Sequence, residues 1–445
     1  MTGAARELAS PPTLLAVHRH APERWPFMLA SSASAGKLGR WSLLLRASDE
    51  PPLTLDRAAA GEAPGFLAQL ERRVHESAVD GLDTRFPFRG GWFLYLGYEL
   101  AAEIEPGLRL PPADDGLPVA LARRCRSAFL HDHFEKRFWL VAEDDAELAA
   151  ALHDIETAAQ QTDPLPELPK RLTLSADPGE RFKDGVGRIR DYIRDGDVFQ
   201  VNLSRGWEAR SDQAVDPVAL YASLAGTNPA PFAALARLPG GTVVSSSPER
   251  LVSVDGRRVQ TRPIAGTRPR GTSSRADSEL SSELVSHPKE RAEHIMLIDL
   301  ERNDLGRVCE TGSVEVDELM VVESYAHVHH IVSNVRGMLR SDAGAADVIR
   351  AVFPGGTITG CPKVRCMEII AELEGRGRGC YTGALGYLGL DGRMDLNILI
   401  RSMVVGDRRI AFRTGAGIVA DSDPDAELAE TEDKARGLLA AIGHG

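Results

Sequence analysis

The chain has 445 residues, 43% of them apolar, with a net charge of −12 and five cysteines. That apolar share is ample for a sizeable core, and the length fits two or three domains or one large α/β unit. The negative balance, with no Lys/Arg run, argues against a nucleic-acid arm. The opening MTGAARELASPPT has no apolar segment of a secretory signal, and no apolar run approaches the ~18 residues of a membrane span. Cys125, Cys309, Cys361, Cys366 and Cys380 form no C-x-x-C pair, which argues against a disulfide framework or a zinc site. The cytoplasm is the expected compartment.

Residues 1–165 are predicted as a strand-rich N-terminal region, with strands at Trp41–Arg46 and Gly91–Gly97 and a helix over Asp144–Ala159. The cluster Thr162-Asp-Pro-Leu-Pro-Glu-Leu-Pro169 breaks the pattern and marks either a boundary or a long surface loop. Residues 175–445 mix helices and strands. Arg181–Asp195 has helical period, whereas Thr242–Ser247 and Met394–Val405 read as strands. There is no internal repeat.

Two helix starts carry paired acids. Pro288 opens one with Glu290 and Glu293, and Pro424 opens another with Glu427 and Glu430. At a spacing of three, each pair shares a helix face. Two readings fit: first-turn acids complementing the helix dipole in water, or a hard-cation site, since Mg²⁺ takes one or two carboxylates plus waters and an anionic substrate.

Phe353-Pro-Gly-Gly-Thr-Ile-Thr-Gly-Cys-Pro-Lys363 is a glycine-rich loop running into a helix, a place where free N–H groups attract anions. It is not a Walker A loop, because no G-K-[ST] closes it. Arg413-Thr-Gly-Ala-Gly417 reads as a second close-approach loop. Plain turn glycines explain either loop equally well. Arg401 ends the apolar run Asn397-Ile-Leu-Ile and needs either a structural acid or a bidentate substrate carboxylate. Tyr387 is either core or a hydroxyl donor. His327, His329 and His330 lack a nearby acidic cluster, so a metal role is rejected for them, though one of the three could face a site.

Several long stretches, in order, resemble the chorismate-binding family. They are Asp197-Val-Phe-Gln-Val-Asn-Leu-Ser204, Ser247-Pro-Glu-Arg250, Thr261-Arg-Pro-Ile-Ala-Gly-Thr-Arg-Pro-Arg-Gly271, Ile298-Asp-Leu-Glu-Arg-Asn-Asp304, Gly360-Cys-Pro-Lys-Val-Arg-Cys-Met-Glu-Ile-Ile370 and Thr414-Gly-Ala-Gly-Ile-Val419. The match is weaker before residue 170, through Gly90-Gly-Trp-Phe-Leu-Tyr-Leu-Gly-Tyr98. The resemblance implies an α/β (α+β) fold of packed antiparallel sheets flanked by helices, with the active site between them. It assigns Mg²⁺ to Glu293 and Glu430, supported by Glu290 and Glu427. It assigns the enolpyruvyl carboxylate to Tyr387, Arg401 and Gly415-Ala416-Gly417, with Lys434 among the substrate-binding residues. Thr357 and His330 would line the ring, beside Ala265, Gly266 and Thr267.

The implied chemistry is loss of the C4 hydroxyl of chorismate as a nucleophile adds at C2. Hydroxide leaves poorly, so a general acid is needed, and the resemblance places Glu249 there. Family members that add water carry a lysine base where this chain has Gln200, so a neutral glutamine implies ammonia. No cysteine sits in a glutaminase G-x-C-x-G elbow, so the resemblance implies a separate glutaminase subunit as partner. Ala265 cannot be the nucleophile that lysine provides at this position in most aminodeoxychorismate synthases. Ala265 and Arg268-Pro-Arg-Gly271 favour the anthranilate synthase branch. Against it stand the short chain, Trp25-Pro-Phe-Met-Leu-Ala-Ser-Ser32 in place of a Leu-Leu-Glu-Ser element, and Asn202 in place of the usual valine. The expected function is amination of chorismate to 4-amino-4-deoxychorismate through non-covalent 2-amino-2-deoxyisochorismate. The alternatives are anthranilate formation and an inert binding subunit, the last disfavoured by retention of Glu249, Glu293, Glu430 and Gln200.

Overall fold

The protein was analysed as a computed structural model that describes residues 4–444 except 32–38, 57–63, 80, 82, 162, 325–327 and most of 271–287. The side chains of 267–269, 288–290 and 328 also lie outside the description, as does all of His327. Among the described residues are 21 strands and ten α-helices.

The strands pair antiparallel and form two long wings that meet at Ala120–Asp132. One wing runs from that strand through Trp41–Ala47, Phe27–Ala30, Phe232–Leu238, Gly241–Ser247, Ser402–Val405 and Arg409–Ile418 to Gln200–Arg210. The other runs through Gly91–Leu96, Ala384–Gly389, Met394–Ile398, Arg250–Asp255 and Arg258–Thr261 to Val328–Met338. There Val328–Met338 is flanked by Ile264–Pro269 and Glu315–Ser324. Strands from before and after the Pro-rich stretch at 164–169 thus share sheets.

Alternation explains the layering, because successive side chains on a strand face opposite sides. Phe93, Tyr95, Leu385, Leu43, Leu45, Phe27 and Val243 turn inward, and the Phe27 and Phe93 rings stack at 3.8 Å. Each such side chain contributes roughly 1.5–3 kcal/mol of burial. The outer faces are covered by helices. Pro288–Gly306 and Ala345–Val352 pack over one wing, and Pro217–Thr227 and Pro424–Ala441 over the other. The last helix begins where the sequence indicates, with Pro424 in its first turn and the Asp423 carboxylate accepting from the N–H groups of Asp425 and Ala426.

The expected strand over Met394–Val405 is two strands, Met394–Ile398 and Ser402–Val405. They belong to different wings, and the chain turns between them with Arg401 at a φ of 49°. Periodicity cannot register such a crossing, because both halves are equally apolar. Arg413–Gly417 is likewise no loop. It lies inside the strand Arg409–Ile418, in register with Gly206 to Asn202. Its glycines avoid collision: a Cβ on Gly415 would come within 2.6 Å of the Leu203 carbonyl, and one on Gly417 within 2.3 Å of Gln200 Nε2.

Candidate active site

The wings cross over twice near one point, and each crossing carries a charged residue. The chain leaves Gly241–Ser247 and enters Arg250–Asp255 through Pro248 and Glu249. It leaves Met394–Ile398 and enters Ser402–Val405 through Arg401. The Ile398 N–H donates to the Glu249 carbonyl at 3.0 Å, which ties the crossings together.

Glu249 is 5% exposed. Burial pushes its carboxyl up to about 7, against the lowering pull of the Thr357 hydroxyl, the Ile264 backbone N–H, Lys434 and Arg401. Thr357 Oγ1 donates to Glu249 Oε1 at 2.9 Å from the 3-10 turn Gly356–Ile358. A carboxyl of this kind holds its proton near neutral pH and can deliver it, as a general acid must.

Arg401 is half-buried, and desolvation lowers its affinity for a proton while Glu249 raises it. Among the described residues its guanidinium makes no hydrogen bond or ion pair, unlike the buried Arg378 and Arg413, which both hold Glu374. Of the two readings of Arg401, a structural acid is therefore not found. A half-buried guanidinium with no partner among the described residues is left partly desolvated, and an incoming carboxylate would offset that cost.

His330 is 2% exposed, and burial, with Arg401 nearby, brings its imidazole down to about 3, so it is neutral at physiological pH. Its ring hydrogen-bonds the backbone of Gly266. That backbone is set by a bulge, since Ala265 pairs with Ile331 but Thr267 pairs with His330, and Gly266 between them has a φ of 62°. Ala265 is buried and in register on the same strand. The Thr267 side chain lies outside the described residues. His329, on the opposite strand face, is taken up by Ser324 and Asp277.

The strand Gln200–Arg210 forms another wall. Gln200, Asn202 and Ser204 share one face, and Oε1 of Gln200 and Oδ1 of Asn202 are buried with no hydrogen-bond partner among the described residues. They lie against Gly417 and Gly415 respectively. Ala416 points the other way, into the core formed with Phe182 and Val186. Lys434 Nζ donates to the Gly415 carbonyl at 3.0 Å and pairs with Glu430 at 2.7 Å, so the helix Pro424–Ala441 is pinned to this strand.

Of the four expected metal ligands, Glu430 is 47% exposed, Glu293 is half-buried on Pro288–Gly306, and Glu427 is buried and accepts from the Ser422 hydroxyl at 2.6 Å. The Glu290 side chain lies outside the described residues. Among the described residues no three His, Cys, Asp or Glu side chains converge as a closed metal cage. The donors present are hard carboxylate oxygens on two separate helices. They suit an oxygen-seeking cation that takes its other ligands from water and substrate rather than a zinc or iron site.

Tyr387 is elsewhere. It faces a separate cavity of about 260 Å³ with Trp41, Phe232, Arg250 and Asp395, and its ring meets Phe88 edge-on. The tyrosine that does reach the glycine strand is Tyr381, whose hydroxyl lies 2.7 Å from where a Cβ of Gly415 would be. Both tyrosines occur in one short segment, Tyr381-Thr-Gly-Ala-Leu-Gly-Tyr387. Only the later one lies on the strand Ala384–Gly389, and its alternation turns it away from the site. The buried Glu301 was also missed. Burial first, then the adjacent Asp304, pushes its carboxyl up to about 8, and Lys363 bridges to Asp304 at 2.6 Å. Its helical neighbours Asp299 and Arg302 pair in solvent, so nothing local marks it as buried.

The chorismate binding enzyme family matches residues 41–440. An anthranilate synthase component I-like protein of Synechocystis is 44% identical over 379 residues, 85% of this chain and 78% of that one. Aminodeoxychorismate synthase component 1 of Bacillus subtilis is 42% identical over 374 residues, 80% of this chain and 78% of that one. Among solved structures, anthranilate synthase component I from Streptococcus pneumoniae superposes with a TM-score of 0.79 at 32% identity, covering 90% of this chain and 92% of that one. The menaquinone-specific isochorismate synthase MenF of Escherichia coli shares the fold at a TM-score of 0.74 and 19% identity. With its matched span, its antiparallel wings and an acid, a free guanidinium and a glycine strand at their crossing, the chain belongs to the chorismate-binding enzymes, as a chorismate-utilising member of the anthranilate synthase component I family.

Proposed function

We propose that this chain is component I of an aminodeoxychorismate synthase, which aminates chorismate with ammonia to give 4-amino-4-deoxychorismate. The supporting observation is the pair of acceptors on the strand Gln200–Arg210. Gln200 Oε1 and Asn202 Oδ1 are buried and, among the described residues, unpartnered. Ammonia offers only N–H donors around its lone pair, so two open amide oxygens can hold and aim it without taking a proton from it. A base would be needed to activate water, and neither amide is one.

In this reading Arg401 takes the enolpyruvyl carboxylate, with Tyr381 and the Gly415–Gly417 backbone at its side. Glu249, kept protonated by burial and steadied by Thr357, gives its proton to the departing C4 hydroxyl, which leaves as water. Ammonia adds at C2. Because Ala265 has no amine, a second ammonia then adds at C4 as the first leaves C2. Glu293 and Glu430 would hold Mg²⁺, supported by Glu290 and Glu427, and the ion would offset the charge of the ring carboxylate. Ammonia would come from a separate glutaminase subunit.

Anthranilate synthase is the second reading, favoured by Ala265 and by the Synechocystis and Streptococcus relatives. One assay separates the two. Purified chain with chorismate, Mg²⁺ and ammonium should yield an aminated product that retains its enolpyruvyl group and gives 4-aminobenzoate once aminodeoxychorismate lyase is added. Direct release of fluorescent anthranilate would overturn the assignment.

A further inference from the structure

Behind the site lies a cluster of buried charges that no step above uses. Glu374, at the end of the helix Lys363–Glu374, accepts from Arg378 at 2.7 Å and from Arg413 at 2.6 Å. Ser204 adds its backbone N–H at 3.0 Å and its hydroxyl at 2.8 Å. Burial alone would raise the Glu374 carboxyl, but the two guanidiniums outweigh it and hold it below the ordinary glutamate range.

Arg378 has donors left over, and they go to backbone carbonyls on both sides of the site. Nη1 donates to the Ile358 carbonyl at 3.0 Å and Nη2 to the Asn202 carbonyl at 2.7 Å. Ile358 directly follows Thr357. Asn202 lies two residues after Gln200, and its own N–H donates to the Thr359 carbonyl at 2.9 Å. The guanidinium also lies over the rings of Tyr381, at 5.5 Å, and Tyr98, at 5.1 Å. One planar fork therefore joins the turn that carries Thr357, the strand that carries the two amides, and the tyrosine beside Gly415.

We infer that Arg378 is a positioning residue for the reaction: from behind the site it holds the Gly356–Ile358 turn so that Thr357 stays on the Glu249 carboxyl. The geometry requires a guanidinium. A lysine at this position keeps the charge facing Glu374, but its compact ammonium cannot span a carboxylate and two carbonyls on different elements. The inference rests on reading Glu249 as the general acid. The groups facing Glu249 are Thr357 from the turn, Lys434 from Pro424–Ala441, Arg401 from the crossing and Glu301 from Pro288–Gly306. Only the first depends on Arg378.

The test compares chorismate consumption with ammonium and Mg²⁺ across pH for wild type, Arg378→Lys, Thr357→Val and the neutral double variant Glu374→Gln/Arg378→Gln. The double variant removes one buried charge of each sign and so leaves the net charge of the cluster unchanged, with Arg413 still bonded to the Ser204 hydroxyl, should the single variant fold poorly. The Thr357 hydrogen bond favours the ionised carboxylate, so its loss raises the Glu249 pKa, and the alkaline fall of kcat should move up by about one pH unit in all three variants. A lowered kcat with an unmoved limb would reduce Arg378 to a stability element and overturn the inference. Wild type that consumes no chorismate would overturn the functional reading itself. A crystal structure of Arg378→Lys provides a check independent of turnover, since Thr357 Oγ1 still on Glu249 would sink the positioning role alone.

Discussion

Glu249 and Arg401 occupy the two points where the chain passes from one sheet wing to the other, and the Ile398 N–H on the Glu249 carbonyl locks these crossings together. A buried acid and a half-buried cation are thereby held near one another without forming a mutual salt bridge. Arg401 still lowers the Glu249 pKa, and Glu249 still raises that of Arg401.

Replacing Glu249 by glutamine keeps its shape and removes its proton. We expect kcat to fall by about 10²–10⁴-fold, the span of general-acid contributions, with the circular dichroism spectrum unchanged. In wild type kcat should decline as pH rises through about 7, because the acid must be protonated. The stability sign follows from the same shift. A carboxyl raised in the folded state contributes its full stability below its unfolded pKa and loses it as pH rises through the folded value. The glutamine variant should therefore melt higher than wild type at pH 8, and equal melting curves there would count against a buried, raised Glu249.

Arg401→Gln removes a guanidinium that has no partner. The KM for chorismate should rise by about 10–100-fold, the worth of one charge-assisted contact. Thermal stability should hold or improve, because a half-buried charge with no partner among the described residues has gone. A melting temperature that drops by several degrees would mean Arg401 is structural.

Glu430→Gln should abolish turnover and leave the fold intact, since this side chain is 47% exposed and packs little. Chelation of divalent ions should silence wild type in the same way, with activity returning on Mg²⁺ addition. Near-normal activity in the variant would remove Glu430 from the metal assignment.

Ala265→Lys would place an amine on the buried strand Ile264–Pro269. Incubated with chorismate and no ammonia, the variant should gain the mass of chorismate less one water in an intact-mass spectrum. An unmodified spectrum would show that residue 265 does not face the reacting carbon.

Gly417→Ala tests the amide wall. The added methyl would come within 2.3 Å of Gln200 Nε2, forcing that amide aside. Ammonium-dependent kcat should fall at least tenfold while chorismate binding, read by tryptophan fluorescence, changes little. Unaltered kcat would mean that Gln200 does not aim the nucleophile.

Local signals placed many elements well. Proline at a helix start placed Pro424–Ala441, helical period over Arg181–Asp195 placed Gly179–Arg194, and the β-branched run at Thr242–Ser247 placed Gly241–Ser247. They failed where the information is not local. The glycines at 415 and 417 read as a loop, yet they are strand positions emptied so that Tyr381, from a turn, and Gln200, from the neighbouring strand, can approach. Tyr387 attracted a substrate role through its motif, while pleat direction, which sequence does not reveal at a strand's first residue, sends it to another cavity.

Sequence alone determined the kind of chemistry available here: a residue without an amine at 265, an amide at 200, an acid at 249, and the family to which their spacing belongs. Tertiary structure decided which of these groups act on one another. Burial is what raises the Glu249 carboxyl toward neutrality, and a half-buried position with no partner among the described residues is what leaves Arg401 able to take a carboxylate. Both are properties of the surroundings, assembled from strands as far apart in the chain as Gln200–Arg210 and Arg409–Ile418 and brought together by hydrophobic burial.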